Sequence, residues 1–498
     1  MKRLSQKLVQ SWANLGPRFL PFADAATPNL PLSRLLRLSL FQVSVGMALV
    51  LLIGTLNRVM IVELGVPASL VAVMVSLPLV FAPFRALIGF RSDTHRSELG
   101  WRRVPYMWMG TLVQFGGLAV MPFALLVLSG GGQSASAPAW IGQASAALAF
   151  LLVGAGVHIT QTVGLALATD LAPQESQPKV VGLMYVMLLL GMIVSAFIFG
   201  TVLEEFTPGR LIQVIQGCAI TTMILNVIAL WKQESRDRSR RFKNPDQPTF
   251  KQSWDLFCQG EHALRRLLAV GLGTMAFTME DVLLEPYGGE ILKLSVSSTT
   301  YLTAALACGG LFGFALASRI LSKGADPFRM ASIGALVGLP AFMAVIIAAP
   351  MASAYLFSFG VFLIGFGGGL FGHGTLTATM NLAPPEQRGL ALGAWGAVQA
   401  TGAGVAVALG GIIRDIVNYF AMRNSLGDSL ADPSTGYVAV YLIEMILLMA
   451  TIIAMAPLIK VLLINLEEES DMAAGYVIAI LIVAIGAMVA IRNMNRRK

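Results

Sequence analysis

The chain has 498 residues, of which 56% are hydrophobic and only 12% are charged. Soluble domains carry about a quarter charged residues, so this composition excludes an ordinary soluble domain and places most of the chain in lipid. The net charge is +8, yet no aromatic-interleaved basic domain stands outside the apolar stretches, which excludes a nucleic-acid footprint.

In chain order, KRLSQKLVQSWANL comes first. It puts Leu4, Leu8, Trp12 and Leu15 at helical spacing, with Lys2, Arg3 and Lys7 elsewhere. Residues 1–36 therefore read either as an interfacial amphipathic helix or as a basic tail. Pro28 and Pro31 break the chain before the first apolar stretch. A membrane span needs roughly 20 apolar residues. Such stretches recur at 38–62, 67–90, 104–128, 139–168, 179–203 and 209–231, and again at 264–285, 297–319, 328–349, 352–377, 388–413 and 437–463. The pattern predicts twelve spans, divided by the polar linker 232–263 into an N-terminal half at 37–231 and a C-terminal half at 264–466. The last segment, 467–498, contains an uncharged stretch at 473–491. It is expected to cross as a thirteenth span, or else to lie re-entrant or along the surface. A crossing would put RNMNRRK outside, against the usual bias of positive charge toward the cytoplasm.

Basic residues set the orientation. Lys232, Arg236, Arg238, Arg240 and Arg241 fall in the linker, Arg91, Arg96, Arg102 and Arg103 between spans two and three, and Arg319, Lys323 and Arg329 between spans eight and nine. With twelve spans these connections share one side with the N-terminus, which predicts a cytoplasmic N-terminus.

The first span ends GTLNRVMIVEL, with Asn57, Arg58 and Glu63 toward its outer end. Its counterpart, span seven, ends MEDVLLEPYGGE. On one continuous helix Asp281 and Glu285 would share a face while Glu280 points about 100° away, and Pro286, Gly288 and Gly289 would stop or kink it. Arg58 opposite Glu280 or Asp281 is the expected ion pair between the halves, since ionisable groups inside a membrane are functional candidates. Glu63 and Glu285 are expected at headgroup level, reaching toward water. Arg85 and Glu444 read as packing or latch residues.

An internal repeat supports the two halves. Leu171-Ala172-Pro173 in ATDLAPQE returns as Leu382-Ala383-Pro384 in TMNLAPPE, and Glu175, Gly182 and Gly191 return at the same offset as Glu386, Gly393 and Gly402. Two six-span halves with a repeat are the pattern of major facilitator transporters. The stretch GFRSDTHRSELGWRRV resembles the loop motif of that superfamily, with Gly89, Asp93, Gly100, Arg102 and Arg103 expected to latch neighbouring helix ends. It departs from the motif by extra residues between the Asp and the second Gly.

His158 and His373 fall in spans four and ten, about one helical turn from equivalence in the repeat. Neutral imidazole can ligate a metal; a buried histidine that only hydrogen-bonds is the other reading. Span ten reads GFGGGLFGHG, and Gly365, Gly368, Gly369 and Gly372 form pairs four residues apart. Small residues at that spacing let helices approach closely; they also leave room for a flat ligand. Cys218, Cys258 and Cys308 have no metal spacing, and no P-loop or nucleophile motif is present. Neither nucleotide-driven transport nor enzymatic activity is expected.

Taken together, GTLNRVMIVELGVPASLV, RSDTHRSELGWRRVPYMW, QTVGLALATDLAP and MEDVLLEPYGGE resemble the bacteriochlorophyll delivery branch of the major facilitator superfamily, the family of the PucC and LhaA proteins of purple phototrophic bacteria. The resemblance implies an all-α protein of the bacterial inner membrane that assembles light-harvesting antennas. It would bind and deliver bacteriochlorophyll as cargo, or chaperone antenna polypeptides. The partners implied are those polypeptides, the reaction centre, enzymes of bacteriochlorophyll synthesis and membrane lipids. The resemblance assigns the peripheral antenna to PucC members and the core antenna to LhaA members, and the core antenna is favoured here over the peripheral one. On this resemblance the span-ten glycines would seat the planar ring, and His158 and His373 would ligate its magnesium. A proton-coupled transporter of a small solute, with Arg58, Glu280 and Asp281 as coupling site, is the alternative.

Overall fold

A computed structural model describes residues 30–80, 88, 91–92, 101–129, 138–173, 176–234, 263–382 and 388–459. The expected loop residues Gly89, Asp93 and Gly100, most of the linker, Arg85 and the expected thirteenth span lie outside them. Helices follow one another as α1 (Leu32–Glu63), α2 (Ala68–Val80), α3 (Val104–Leu128), α4 (Ala139–Leu171), α5 (Gln177–Val202) and α6 (Pro208–Leu230). The second set is α7 (Ala263–Glu290, interrupted), α8 (Val296–Leu321), α9 (Pro327–Ala348), α10 (Ala354–Leu382), α11 (Arg388–Met422) and α12 (Thr435–Met455). Eleven of these are long and apolar enough to cross a membrane, and the described part of α2 is a shorter apolar helix. The protein is an all-helical, multi-pass membrane bundle of the major facilitator type.

Helix α1 starts earlier than hydropathy suggests. Pro31 adopts extended backbone at its N-terminus, and Arg34 donates to the Gln233 side chain (3.1 Å) and carbonyl (2.7 Å). Hydrogen bonding at the polar end, invisible to an apolar count, accompanies a helix start nearly two turns earlier than residue 38. Farther on, Val50–Leu56 and Val59–Glu63 widen into π-helical turns. Such turns are rare and favour functional places; here they flank Asn57 and Arg58.

Helix α7 departs from expectation in a second way. The α-helix runs only to Ala276, a 3-10 turn spans Met279–Val282, and helix resumes at Leu284–Glu290. Pro286 does not end this helix. It sits in the first turn of the last segment, where a missing N–H costs nothing. The break falls instead at Phe277–Thr278, so Asp281 and Glu285 do not share one helical face.

The two sets of helices meet mainly along α2 against α11 and α5 against α8. Within the second set, α10 is the closest-packed helix. A Cβ on Gly365 would strike the Leu306 carbonyl, and one on Gly369 the Gly310 carbonyl. From the other side, Gly309 and Gly313 of α8 face the carbonyls of Phe362 and Phe366. Gly367 meets Gly334 of α9 in the same manner. Lipid supplies no hydrophobic drive between helices, so close backbone contact has to hold them. Gly372 differs, because a Cβ there meets nothing within 4 Å. Gly369→Val is therefore expected to lower stability by ~1–3 kcal/mol through overpacking, while Gly372→Ala is expected to leave the thermal midpoint of the detergent-purified protein unchanged.

Candidate functional site: a central cavity beside a buried acid pair

A cavity of about 240 Å³ lies in the middle of the bundle between α5, α7, α8 and α10. Leu188, Leu189, Met192, Leu306 and Ile364 give it an apolar lining; Phe277, Phe314 and Tyr185 add aromatic rings; Gly310, Gly365, Gly368 and Gly369 form a wall without side chains. Three of the four glycines singled out in span ten thus border one space. Their roles differ. Gly365 and Gly369 are held by backbone contact with α8, whereas a Cβ on Gly368 would make only ordinary contact with Phe277, at 3.8 Å.

Glu280 is the sole carboxyl among the lining residues. It is 1% exposed, and Glu444 of α12 is 0% exposed. Their carboxyl groups lie beside each other, and none of their four buried oxygens accepts a hydrogen bond from a described donor. Two adjacent carboxyls can hydrogen-bond to each other only when one carries a proton. Neither forms a salt bridge with any described Lys or Arg. From the sequence Glu444 reads as a packing or latch residue, and its neighbour Glu280 is not legible there because α7 and α12 are far apart along the chain.

Arg58 does not face the acids expected for it. It pairs with Glu63, five residues on in α1, and donates to the Leu294 carbonyl (3.2 Å) beyond the end of α7. The widened turns of α1 and the absent side chain of Gly289, whose Cβ would lie 3.2 Å from Arg58 Nε, let the guanidinium lie along this seam. Asn57 does cross between the sets, donating to the Val282 carbonyl (2.9 Å) in the 3-10 turn. Asp281 is half-buried beside Glu280.

Glu285 also departs from expectation. It is 3% exposed, not at headgroup level, and accepts from the Thr303 hydroxyl of α8. Its Oε1 occupies the space that a Cβ on Gly54 of α1 would need. An acid can be this deep because a hydroxyl meets it and a glycine opposite makes room.

The histidines are not brought together at the cavity. His373 is buried and lies against Phe314, with ring centroids 4.3 Å apart. It is thus one ring removed from the cavity that Phe314 lines. His158 is half-buried on α4 and is not among the lining residues.

Two polar clusters stand apart from the cavity. Arg102 and Arg103 both pair with Asp170 at the end of α4, and Arg103 donates to Ser92 (2.6 Å). The Glu234 carboxylate accepts from the backbone N–H groups of Arg102, Arg103 and Val104, satisfying orphan donors at the start of α3. Arg102 and Arg103 thus tie the start of α3 to the end of α4. The acids described there, Asp170 and Glu234, come from outside the motif; Asp170 was visible in the repeat ATDLAPQE but had no assigned partner. At the other end, Arg414 pairs with Glu290 and with Asp415 (2.9 Å) and donates to the Tyr437 hydroxyl (3.0 Å). Asp415 in turn accepts from the Ser69 N–H (2.7 Å) at the start of α2, joining the two sets of helices. Sequence reasoning missed this cluster because Arg414 and Glu290 sit at span ends, where charge is unremarkable.

Comparison with known proteins fits this arrangement. Residues 55–462 match the family described as PUCC protein. "Protein PucC" of Rhodovulum sulfidophilum is 65% identical over 84% of this chain and 92% of its own length. "Protein PucC" of Cereibacter sphaeroides is 58% identical over 92% of this chain and 98% of its own. A more distant relative, 28% identical over 78% of this chain and 88% of its own, is named "Bacteriochlorophyll synthase 44.5 kDa chain" in Rhodobacter capsulatus. Among solved structures, a bacterial homolog of the human lysosomal transporter Spinster superposes with a TM-score of 0.61 at 13% identity, covering 84% of this chain and 95% of that one. The nucleoside transporter NupG does so with a TM-score of 0.58 at 13% identity, covering 84% and 98%.

Replacing Arg414 with Met would strand Glu290 and Asp415 at the α2–α11 seam. A loss of ~2 kcal/mol is expected, below the range for a fully buried pair because Glu290 keeps some solvent contact. Thermal unfolding in detergent should show part of it restored by Arg414→Met with Glu290→Gln; additive losses would refute the coupling.

Proposed function

The chain belongs to the PUCC protein family, and from that premise we propose that it is an assembly factor for a bacterial light-harvesting antenna, not an enzyme. It resides in the cytoplasmic membrane with its N-terminus in the cytoplasm. It seats one edge of a bacteriochlorophyll ring in the central cavity, whose volume of about 240 Å³ holds part of the macrocycle, and hands the pigment to newly inserted antenna polypeptides. The observation that carries this reading is the cavity wall: aliphatic and aromatic side chains face a strip of backbone that has no side chains. A planar apolar ring can lie flat against such a strip. Burying it there returns roughly 25 cal/mol for each Å² of apolar surface withdrawn from water. Passing a membrane-soluble pigment sideways also avoids wetting it, which movement through an aqueous pore would require.

His373, one ring away from the cavity, is the nearer of the two histidines proposed as magnesium ligands; reaching the pigment would require Phe314 to move. Of the two antenna types, the high identity to relatives named "Protein PucC" turns the reading toward the peripheral antenna, which the resemblance assigns to PucC members, and away from the core antenna.

The second reading, proton-coupled transport of a small solute, is favoured by one observation, the buried Glu280–Glu444 pair next to the cavity. The colour of the purified protein separates the two. Under the first reading, protein purified from a pigment-making host carries bacteriochlorophyll absorbance, and Gly368→Leu, which fills the cavity, reduces it by roughly tenfold, the equivalent of about 1.4 kcal/mol. Colourless protein that accumulates a solute only under a pH gradient would overturn it. In cells, deletion is expected to remove the peripheral antenna band while sparing the core band; the opposite pattern would restore the core assignment.

A further inference from the structure

Glu280 takes no part in the polar contacts that hold the helices at either end of the bundle. It is nevertheless fully buried, lines the cavity, and leans on a second carboxyl with no cation among the described residues to balance either. An uncompensated charge in this position is expensive. A leucine or methionine in its place would close an apolar cavity at lower cost. The break in α7 adds a further cost, since a continuous helix would keep more backbone hydrogen bonds. The break puts Glu280 on a 3-10 turn at the cavity wall, with Asn57 of α1 gripping the same turn through the Val282 carbonyl. The other ionisable side chains acting on the pair are Asp281, also an acid, and Tyr441, a phenol.

Neutral carboxylic acids reconcile these facts. In that form each has one O–H to donate and one carbonyl oxygen to accept with. Glu444 can donate to Glu280, which leaves the Glu280 O–H for a third group. The remaining lining is hydrocarbon, aromatic rings and glycine backbone, with the Tyr185 phenol as its one side-chain hydroxyl, so a ligand in the cavity is a natural third group.

We propose that Glu280, backed by Glu444, donates a hydrogen bond to a carbonyl oxygen on the molecule bound in the central cavity. The inference rests on the pigment-binding reading above and deepens it. The site selects an apolar ligand that carries a ketone or ester at its edge, as the bacteriochlorophyll ring does. It disfavours cationic amines, which would need a carboxylate, and sugars, whose several hydroxyls would find one partner.

The test uses the full-length protein in detergent, titrated with bacteriochlorophyll and read by pigment absorbance and by the carbonyl stretching frequency of the bound pigment. Glu280→Gln keeps a donor and removes the acid; Glu280→Leu removes the donor at similar size. The wild type and Glu280→Gln are expected to bind within about threefold of each other, both with a down-shifted carbonyl stretch. Glu280→Leu is expected to bind roughly tenfold more weakly, as the loss of one hydrogen bond implies, with a carbonyl stretch at the unbonded frequency. Leucine replaces a buried acid with an apolar side chain, and thermal unfolding checks that the variant is folded. Equal binding and an unchanged carbonyl frequency in Glu280→Leu would overturn the assignment while leaving pigment binding intact. Equal weakening in Gln and Leu would show that a donor at this position is not what holds the pigment, and would overturn the assignment. Wild-type protein that takes up no pigment would overturn the pigment reading itself, and this inference with it.

Discussion

An ionisable side chain inside a hydrocarbon layer must find its counter-charge or hydrogen bond within the protein. Much of this bundle is arranged by the ways its charged groups do so. Arg58 turns back on its own helix to Glu63; Arg414 gathers Glu290, Asp415 and Tyr437; Glu285 takes a hydroxyl from Thr303. The contacts of Arg414 and Glu285 fix a helix against a neighbour, so these polar groups act as registration marks between surfaces that are otherwise smooth and apolar. Glu280 and Glu444 are the exception, meeting another acid where the rest meet a cation or a hydroxyl donor. Their place beside the cavity fits a group kept for a ligand better than one kept for stability.

The second constraint is the shortage of attraction between helices in lipid. The glycines of α8, α9 and α10 answer it by bringing backbones into contact. The same choice has a consequence for binding. A helix whose inner surface is glycine gives tight packing where a neighbour covers it and a flat wall where none does. Gly365 and Gly369 do both at once, bordering the cavity while pressed against α8. Packing and ligand room, open alternatives in the sequence, are therefore adjacent uses of one strip.

The breaks in helical geometry coincide with these polar contacts. The π-helical turns of α1 and the 3-10 turn of α7 lie across from each other, joined by Asn57 and the Val282 carbonyl. Irregular backbone at membrane depth is tolerated where protein buries it or a cavity adjoins it. Here both conditions hold, since the turn of α7 is covered by α1 on one side and borders the cavity on the other.

Hydropathy alone determined the apolar helices and their division into two sets, because a span must be long and uncharged whatever it packs against. Local chemistry also marked the arginines of the loop, the glycines of span ten and the acids of MEDVLLEPYGGE as unusual. What the sequence left undecided was partnership. Arg58 lay closer in expectation to Asp281 than to Glu63, and Glu285 was assigned to the headgroups, because nothing local shows that Gly54 and Thr303 come to meet it. Pro286, Gly288 and Gly289 suggest a stop or kink late in α7, yet the helix breaks earlier, at Phe277–Thr278, and a proline in the first turn of a helix disrupts nothing. The pairing of Glu280 with Glu444 depends on α7 and α12 lying side by side. Contacts between residues far apart in the chain are fixed by how whole helices pack, and only the tertiary structure decides them.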